Sequence, residues 1–406
     1  LPMHTATRLA IEVLPKIKIL NSSAHLAFFG LYATINKDLL RSLGGKTIIS
    51  GEFEDSLVQL YQQLVGSTFV SDSGLVSLKR QNFRKPKRSD LPNLNHYAKL
   101  INGKAQSIIV GYTEGTRGCK HICRHCPIVP VYNGRFFVVQ PDVVKEDIRQ
   151  QVEAGAEHIT FGDPDFFNGP GHALKLVESF HQEFPNLTYD VTIKIEHLLA
   201  HREKLRLLTE TGCLFVTTAV EEVDDEVLCR LEKNHTRADF IEVVHATNST
   251  ELTLSPTFIP FHPWTTTYGF VNLLSMISEL DLIENVAPVQ FGIRLLIPKG
   301  SRILELTEIN QFLGDFDAEK LSYRWKPADK RADELQSKVY EAIQFGVSEG
   351  ASRRSIFEQV WILAHNACEQ SAPALPPERA GSIPVPAMSE PWYCCAEPTD
   401  EQISGL

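Results

Sequence analysis

Residues 119–126 read Cys119-Lys120-His121-Ile122-Cys123-Arg124-His125-Cys126, which places three thiols in a CxxxCxxC spacing. The segment follows an apolar run at residues 107–112 that is typical of a β-strand. Three soft thiolates can hold three corners of an iron–sulfur cluster and leave one iron open to a ligand. Two alternatives remain, namely a Cys3His zinc site completed by His121 or His125, and a chance clustering of cysteines.

The composition indicates a globular protein. The chain has 406 residues, 43% of them hydrophobic and 22% charged, which is enough for two or three domains with a sizeable core. Apolar runs stop short of the roughly 18 residues that a membrane span needs. A net charge of −10 argues against a nucleic-acid surface, and the basic cluster at residues 79–88 is typical of a solvated face. Eight cysteines are too few for a disulfide scaffold, so we predict a cytoplasmic protein.

Between residues 101 and 300 a strand-like run alternates with a helix-like run six times. The strand-like runs are residues 107–112, 157–162, 188–195, 213–220, 252–259 and 289–297. Such β/α units in series predict an α/β fold whose parallel sheet closes into a partial (β/α)6 TIM-like barrel. In such barrels chemistry gathers on the loops after the strands, so we expect the cysteine segment at the barrel mouth.

The flanking regions have different patterns. Residues 1–70 alternate helix-like and strand-like runs and predict a partial Rossmann-like domain, which is short enough to be the second half of one. Residues 71–100 are polar and predict a linker, residues 301–370 a helical extension, and residues 371–406 a Pro-rich tail. Because the chain opens on Leu1 and not on an initiator Met, we expect a segment to precede it.

An acidic turn follows the second predicted strand. Gly162 permits close backbone approach, and the carboxylates of Asp163 and Asp165 can accept hydrogen bonds from an ammonium group. For Asp165 the alternative is an Asx turn before the helix that begins near Pro170.

Polar residues also mark the other strand ends. Lys194 and Glu196 end the third strand and Glu221 the fourth, where carboxylates suit ribose hydroxyls, although each glutamate by itself is equally typical of a surface acid. Arg294 lies inside the apolar sixth strand, must find a partner there, and is a good fork for a carboxylate.

These motifs resemble the radical S-adenosylmethionine superfamily over about residues 100–300. The resemblance rests on the cysteine segment, on the Gly-Asp-Pro-Asp turn at residues 162–165, and on residues 220–228 with 231–236. It implies a [4Fe-4S] cluster held by Cys119, Cys123 and Cys126, whose open iron binds S-adenosylmethionine. It also implies an external electron donor such as flavodoxin or ferredoxin.

Further residues would bind S-adenosylmethionine by the same resemblance. Those expected at the methionine amine are Gly162, Asp163 and Asp165, and those expected at the carboxylate or ribose are Lys194, Glu196 and Glu221. We also assign His125 and Arg294 to the cofactor site. His125 stands where the superfamily usually has an aromatic residue, and its flat ring can serve on the adenine side.

The tail carries a second motif, Trp392-Tyr393-Cys394-Cys395-Ala396-Glu397-Pro398. With the segments at 257–266 and 293–301, it resembles the CUAEP/CCAEP-tail radical SAM family, in which some members have selenocysteine at the position of Cys394. The N-terminal domain of that family is similar to a cobalamin-binding fold. No Asp-x-His-x-x-Gly signature occurs here, so we predict that cobalamin is absent.

Cys394 and Cys395 are predicted to be catalytic. Adjacent thiols form a strained disulfide, but they can chelate a soft atom. A related tail family includes the radical enzymes of arsinothricin formation, which join the 3-amino-3-carboxypropyl group of S-adenosylmethionine to arsenic. By this analogy the tail covers the barrel mouth and holds a small acceptor, such as an arsenic species. The acceptor would receive either the 3-amino-3-carboxypropyl radical or the 5′-deoxyadenosyl radical. The alternatives are a non-catalytic metalloid or redox sensor and a zinc-binding module.

Overall fold

The computed structural model describes residues 1–66, 76–102, 107–378, 383–390 and residue 397. Within these ranges the α-helices are α1 His4–Leu20, α2 Leu31–Ile35, α3 Lys37–Ser42, α4 Glu54–Val65, α5 Val129–Tyr132, α6 Pro141–Glu153, α7 Pro170–Glu183, α8 Ile195–Ala200, α9 Leu205–Glu210, α10 Asp225–Arg230, α11 Arg237–Ser249, α12 Thr267–Glu279, α13 Arg331–Ser348 and α14 Arg353–Ala367. Among these residues no helix combines the length and the apolar composition needed to span a bilayer.

The described strands are β1 Ala27–Phe29, β2 Thr47–Gly51, β3 Val76–Ser77, β4 Leu100–Ile101, β5 Ser107–Ile108, β6 Val110–Thr113, β7 Thr116–Gly118, β8 Phe136–Val138, β9 His158–Phe161, β10 Thr188–Thr192, β11 Cys213–Glu221, β12 Leu254–Phe258, β13 Leu313–Asp317, β14 Ser322–Trp325 and β15 Ala387–Met388.

The central sheet has five parallel strands in the order β12-β11-β10-β9-β6. Neighbours in the sheet are successive β/α units, and the crossovers between them contain α6, α7, α8 with α9, and α10 with α11. The apolar runs of the sequence form these strands because a parallel sheet that is covered by helices is buried on both faces. The prediction of an α/β fold with a partial parallel barrel is confirmed.

The sixth predicted strand, residues 289–297, is shorter than predicted. Residues Pro288–Gly292 form a 3-10 helix, and a single parallel bridge joins Phe261 to Arg294. The amide of Leu295 donates to the carbonyl of Phe261 at 2.8 Å, so this segment continues the curvature of the sheet by a few bonds. Pro288 cannot donate a ladder hydrogen bond, which explains why the run starts as a turn and not as a strand.

The main core lies between this sheet and its helices and extends into the C-terminal region. Ile159 and Val216 of the sheet and Val177 of α7 have no exposed surface, and burial of each such side chain contributes about 1.5–3 kcal/mol. Phe357 of α14 packs edge-on against Phe291, with ring centroids 5.4 Å apart. The region predicted as a helical extension, which also contains the β13–β14 hairpin, therefore packs into the barrel core.

The N-terminal region has its own parallel sheet, β1-β2-β3, and a small separate core with α1 to α3. This arrangement agrees with the partial Rossmann-like pattern. Buried Glu52 after β2 accepts a hydrogen bond from the Tyr132 hydroxyl at 2.9 Å, and Glu54 pairs with Arg117. These contacts fix the N-terminal region against the segments that flank the cysteines.

The predicted linker and the described part of the tail both pack on the barrel. Arg88 forms two bonds of 2.7 and 2.8 Å to Asp147 of α6. β4 forms a small antiparallel sheet with β5 and with β15 of the tail. Trp361 of α14 donates to the carbonyl of Pro373 at 2.9 Å. The described part of the Pro-rich tail is therefore anchored to the barrel at these contacts, while most of residues 371–378 are exposed.

Candidate functional site

A short β-ladder positions the cysteine segment. Between β6 and the first cysteine, β7 pairs with β8 in an antiparallel ladder that the sequence did not predict. Gly118 ends β7 with a φ of 78°, and a Cβ at this position would lie 2.5 Å from the carbonyl oxygen of Arg135. Only glycine fits here, and it turns the chain into the cysteine segment at the mouth of the sheet.

Neighbouring segments hold the cysteine loop in place. Asn168, after β9, accepts from the amide of Lys120 at 3.1 Å and donates to the carbonyl of Gly118 at 3.1 Å. Arg302 donates to the carbonyl of Ile122 at 2.6 Å. The loop is therefore preformed by bonds to segments that lie far apart in the sequence.

The three thiols lie together on this loop. Cys119 and Cys123 are buried and Cys126 is partly exposed, and none of them forms a disulfide. Burial raises the pKa of the Cys119 thiol to about 12. The Lys194 ammonium lies 3.6 Å from the Cys123 sulfur. A bound metal centre would supply the stabilisation that Cys119 needs to ionise.

The thiols do not form a preassembled zinc shell. Zn–S bonds of about 2.3 Å in a tetrahedral shell place the sulfurs about 3.8 Å apart. In the part of the chain that the structure describes, the only group of three ligand side chains within 4.8 Å of one another contains none of these thiols. His121 contacts the carboxylates of Asp165 and Glu196. Three soft thiolates suit the iron–sulfur alternative.

Asp165 forms the centre of a buried acid–imidazole group. Its Oδ2 lies 3.0 Å from Nε2 of His121 and 2.7 Å from Nδ1 of His197, while Oδ1 accepts from the amide of Phe167 at 3.0 Å. Burial opposes ionisation of Asp165, but the two imidazoles hold its pKa below the usual value. Glu196 lies 3.2 Å from Nδ1 of His121. The Asx turn that was the alternative for Asp165 is thus present, and the contact of Asp165 with the methionine amine stays a prediction.

Asp163 and Gly162 face the interior and make internal contacts. Oδ2 of Asp163 accepts from the amide of Gly115 at 2.8 Å, and Oδ1 accepts from the hydroxyl of Thr116 at 2.6 Å. Burial raises the pKa of Asp163 to about 7. A Cβ on Gly162 would lie 1.9 Å from the hydroxyl oxygen of Tyr112. Both residues support the strand ends that carry the cysteine loop, and their contact with the methionine amine stays a prediction.

Glu221 forms a buried triad at the end of β11. A single oxygen, Oε1, lies 3.1 Å from Nε2 of His125 and 3.1 Å from Nζ of Lys233. Burial alone would raise the pKa of Glu221, but Lys233 and His125 hold it at about 2. Glu221 also has a φ of 68°, an unusual conformation for a residue other than glycine that is often found at functional sites. His125 and Glu221, predicted separately, thus lie in contact.

Lys194 and Glu196 lie together, and Arg294 lies elsewhere. Nζ of Lys194 is 3.6 Å from Glu196, whose side chain is 29% exposed and so accessible to a ligand. Arg294 instead bonds to Asp333 at 2.7 Å and to the carbonyl of Trp325 at 2.6 Å. It lines a cavity with the β13–β14 hairpin and Glu397 that includes none of the six described cysteines. The guanidinium of Arg294 therefore binds the carboxylate of Asp333, which belongs to the protein itself.

The tail cysteines Cys394 and Cys395 lie outside the described residues. Glu397, two positions further on, is described. Its amide donates to the carbonyl of Arg294 at 2.9 Å, and its carboxylate lies 3.5 Å from Nε of the same arginine.

Several site residues were missed by the sequence analysis. The structure adds His197 to the group around Asp165, Lys233 to the Glu221 triad, Asn168 under the cysteine loop, and a buried pair in which His262 lies 3.1 Å from Glu222. A signal existed for Lys233, since it lies in the segment at 231–236 that resembles the superfamily. His197 follows Lys194 by three residues, one turn of a helix, but no local pattern distinguishes it from a core histidine.

The comparisons with known proteins agree with this geometry. Residues 113–264 match the model of the Radical SAM superfamily. The hopanoid C-3 methylase of Methylococcus capsulatus is 24% identical over 151 residues, which make up 37% of this chain and 29% of the methylase.

Two solved structures have a similar fold. The radical S-adenosylmethionine methyltransferase TsrM from Kitasatospora setae has a TM-score of 0.55 and 16% identity, over 67% of this chain and 56% of its own. The cobalamin-dependent S-adenosylmethionine radical enzyme OxsB has a TM-score of 0.62 and 13% identity, over 88% of this chain and 63% of its own. The chain thus spans less than a third of the methylase and between half and two thirds of these two structures.

Residues 113–264 therefore form a domain of the radical SAM superfamily, as predicted from the cysteine segment. The predictions of an enzyme, of a [4Fe-4S] cluster and of S-adenosylmethionine agree with this match, while the activity of the whole protein stays a proposal. The resemblance to the CUAEP/CCAEP-tail family stays a prediction, as do the domain boundaries and the absence of cobalamin.

Proposed function

We propose that this protein reductively cleaves S-adenosylmethionine at a [4Fe-4S] cluster and delivers the resulting carbon radical to a small acceptor. The observation that carries the proposal is the loop of three free thiols at the barrel mouth. These thiols lie beside a lysine ammonium, within the segment that matches the superfamily.

Cys119, Cys123 and Cys126 would hold the cluster, and no fourth cysteine adjoins them in the loop. The other described cysteines lie at the start of β11, on α10 and after α14. The chemistry that such a cluster supplies when bound is one-electron reduction of the sulfonium, which breaks a carbon–sulfur bond. An external donor such as flavodoxin or ferredoxin would provide the electron.

The surrounding residues would orient the cofactor and exclude water. Lys194 balances thiolate charge beside Cys123, and Glu196 offers an accessible carboxylate next to it. Glu221 stays ionised because of Lys233 and can accept a ribose hydroxyl through the oxygen that its partners leave free. Asp163 and Gly162 act indirectly, because they hold the strand ends that position the cysteine loop.

The acceptor would be held by Cys394 and Cys395. Two observations support this part of the proposal: adjacent thiols favour a soft, thiophilic atom such as arsenic, and Glu397 returns to the barrel at Arg294.

Methyl transfer is the second candidate. It is favoured by the names of the similar proteins, a methylase and a methyltransferase, and by the match over residues 113–264.

Product analysis of the anaerobically reconstituted chain tests the proposal. The reduced protein should contain about four irons and should consume S-adenosylmethionine. 5′-Deoxyadenosine indicates cleavage toward adenosine, 5′-methylthioadenosine indicates transfer of the aminocarboxypropyl group, and S-adenosylhomocysteine indicates methyl transfer. The control is the Cys119→Ala/Cys123→Ala/Cys126→Ala variant, which should have neither cluster nor turnover. A zinc-loaded, colourless wild-type chain without turnover would refute the proposal.

A separate experiment tests the tail. With arsenite as the probe, Cys394→Ser and Cys395→Ser should each lose arsenite binding, whereas Cys229→Ser, on an exposed position of α10, should keep it. Equal arsenite affinity in all three variants would refute the role of the tail thiols. Arsenite binding that survives loss of the cluster cysteines, in a chain that never cleaves S-adenosylmethionine, would instead identify a sensor.

A further inference from the structure

The group around Asp165 contains side-chain nitrogen and oxygen atoms that could bind a ligand and that are not all used in hydrogen bonds within the protein. His197 is 4% exposed, and neither of its ring nitrogens makes an aligned hydrogen bond in the described part of the chain. Its Nδ1 nevertheless lies only 2.7 Å from Oδ2 of Asp165. Nδ1 thus faces Asp165, whereas Nε2 has no hydrogen-bond partner among the described residues and is available to a ligand.

The other imidazole of the group faces two carboxylates. Nε2 of His121 lies 3.0 Å from Oδ2 of Asp165, and its other ring nitrogen, Nδ1, lies 3.2 Å from Oε1 of Glu196. Nδ1 of His121 and Oε1 of Glu196 are both atoms that can bind a metal ion, and they lie at a distance that one ion can bridge.

The arrangement has the dimensions of a metal shell. One atom from each of His121, Glu196 and His197 lies within 4.8 Å of the others. Two ligands with bonds of about 2.0–2.2 Å to one ion are about 3–4 Å apart, so a small side-chain adjustment closes the shell. Asp165 then has the role of the carboxylate that commonly orients a ligating histidine through its second nitrogen.

We propose that His121, Glu196 and His197 bind one divalent transition-metal ion beside the cluster segment. Two imidazoles and one carboxylate are nitrogen and oxygen donors, which suit Zn²⁺ or Fe²⁺ and differ from the soft thiol set of the cluster. His121 belongs to the cysteine loop, whereas Glu196 and His197 belong to the first turn of α8. The ion therefore links the loop to the end of the third barrel strand, and the exposed side of Glu196 leaves a coordination position open to a small ligand.

Zinc binding by the full-length, cluster-loaded chain tests this site. Metal is removed with a chelator that spares the cluster, and zinc is then titrated in competition with a chromophoric chelator while iron is counted in parallel. We expect one zinc per chain with a Kd below about 1 µM. His197→Ala should weaken zinc binding at least about a hundredfold, and Asp165→Asn about ten- to a hundredfold. His201→Ala is the matched control, because its ring lies 6.2 Å from that of His197 and outside the shell.

A second variant distinguishes a true loss of zinc binding from misfolding of His197→Ala. Glu196→Gln changes a partly exposed side chain without changing its size, and it should also lose zinc affinity. Cobalt in the Cys119→Ala/Cys123→Ala/Cys126→Ala chain should give visible bands that disappear on Glu196→Gln. Absence of bound zinc in the wild-type chain, or equal affinity in His197→Ala, overturns the proposal. Failure of the cluster function appears separately, as lost iron with zinc binding intact.

Discussion

Removal of the Lys233 ammonium should destabilise the protein strongly at neutral pH. Lys233 and Glu221 are a buried pair, with side chains 3% and 8% exposed and 3.1 Å between Nζ and Oε1. In Lys233→Met the carboxylate of Glu221 keeps only His125 as a partner. A buried charge that loses its counter-ion typically costs about 3–5 kcal/mol. The lowering of the Glu221 pKa from 4.5 to about 2 corresponds to about 3 kcal/mol, in agreement with that range.

The pH dependence follows from the direction of this change. Because the folded pKa of Glu221 lies below the unfolded value, its contribution to stability is complete above pH 4.5 and is lost as the pH falls toward 2. In Lys233→Met the pKa of Glu221 rises. Proton uptake by the pair that it forms with His125 then relieves the buried charge, so the deficit relative to wild type should narrow as the pH falls from about 7 to 5.

Urea unfolding followed by circular dichroism, with the apo chain under anaerobic conditions, measures both effects. We expect Lys233→Met to lose about 3 kcal/mol at pH 7 and Lys233→Met/Glu221→Gln to recover at least about 2 kcal/mol of it, since no buried charge remains. Lys175→Met, at an exposed position of α7, is the control and should change stability by less than about 0.5 kcal/mol. A loss below about 1 kcal/mol, or no recovery in the double variant, would refute the reasoning.

Three further changes test the supports of the site. Gly162→Ala should cost about 1–3 kcal/mol of stability in urea unfolding, because its Cβ would lie 1.9 Å from the Tyr112 hydroxyl oxygen. The control Gly171→Ala should be neutral or stabilising, because its Cβ meets nothing within 4 Å. Equal effects of the two substitutions would contradict the packing argument. Burial raises the pKa of Asp163 to about 7, so ionisation of this carboxyl opposes folding. In thermal unfolding the wild-type protein should become more stable as the pH falls from 8 to 5, and Asp163→Asn should lack this gain. The same dependence of stability on pH in both proteins would be inconsistent with the buried carboxyl. Cys123→Ser should lose the visible absorption and the iron of the reconstituted protein, and full iron retention would argue against this residue as a cluster ligand.

The barrel could be predicted because its signals are local. Runs such as residues 213–220 are apolar over the length of a buried strand, and the helix-like runs between them fix the order and direction of the strands. The sixth strand was predicted too long, because an apolar run does not reveal that Pro288 begins a turn. The β7–β8 ladder was missed, since strands of three residues have too few positions for a periodic pattern.

Part of the candidate site could be predicted as well, because strand ends are also local features of the sequence. Strand-end positions identified Asp165, Lys194, Glu196 and Glu221, but sequence order does not reveal the direction in which a side chain points. The sequence did not reveal that Gly162 also accommodates the ring of Tyr112.

The sequence by itself determined the chemistry that is available, since the CxxxCxxC spacing and the serial β/α pattern depend only on residues close together along the chain. It therefore predicted the parallel barrel, the cluster thiols and their place on the first loop. Only the tertiary structure decided which carboxylates are free and which are already paired. Asp163 bonds to its own strand ends, Arg294 bonds to Asp333, and Asp165 contacts two histidines. These pairings join residues tens of positions apart, and they form because a buried charge must find a partner wherever the fold brings one within reach.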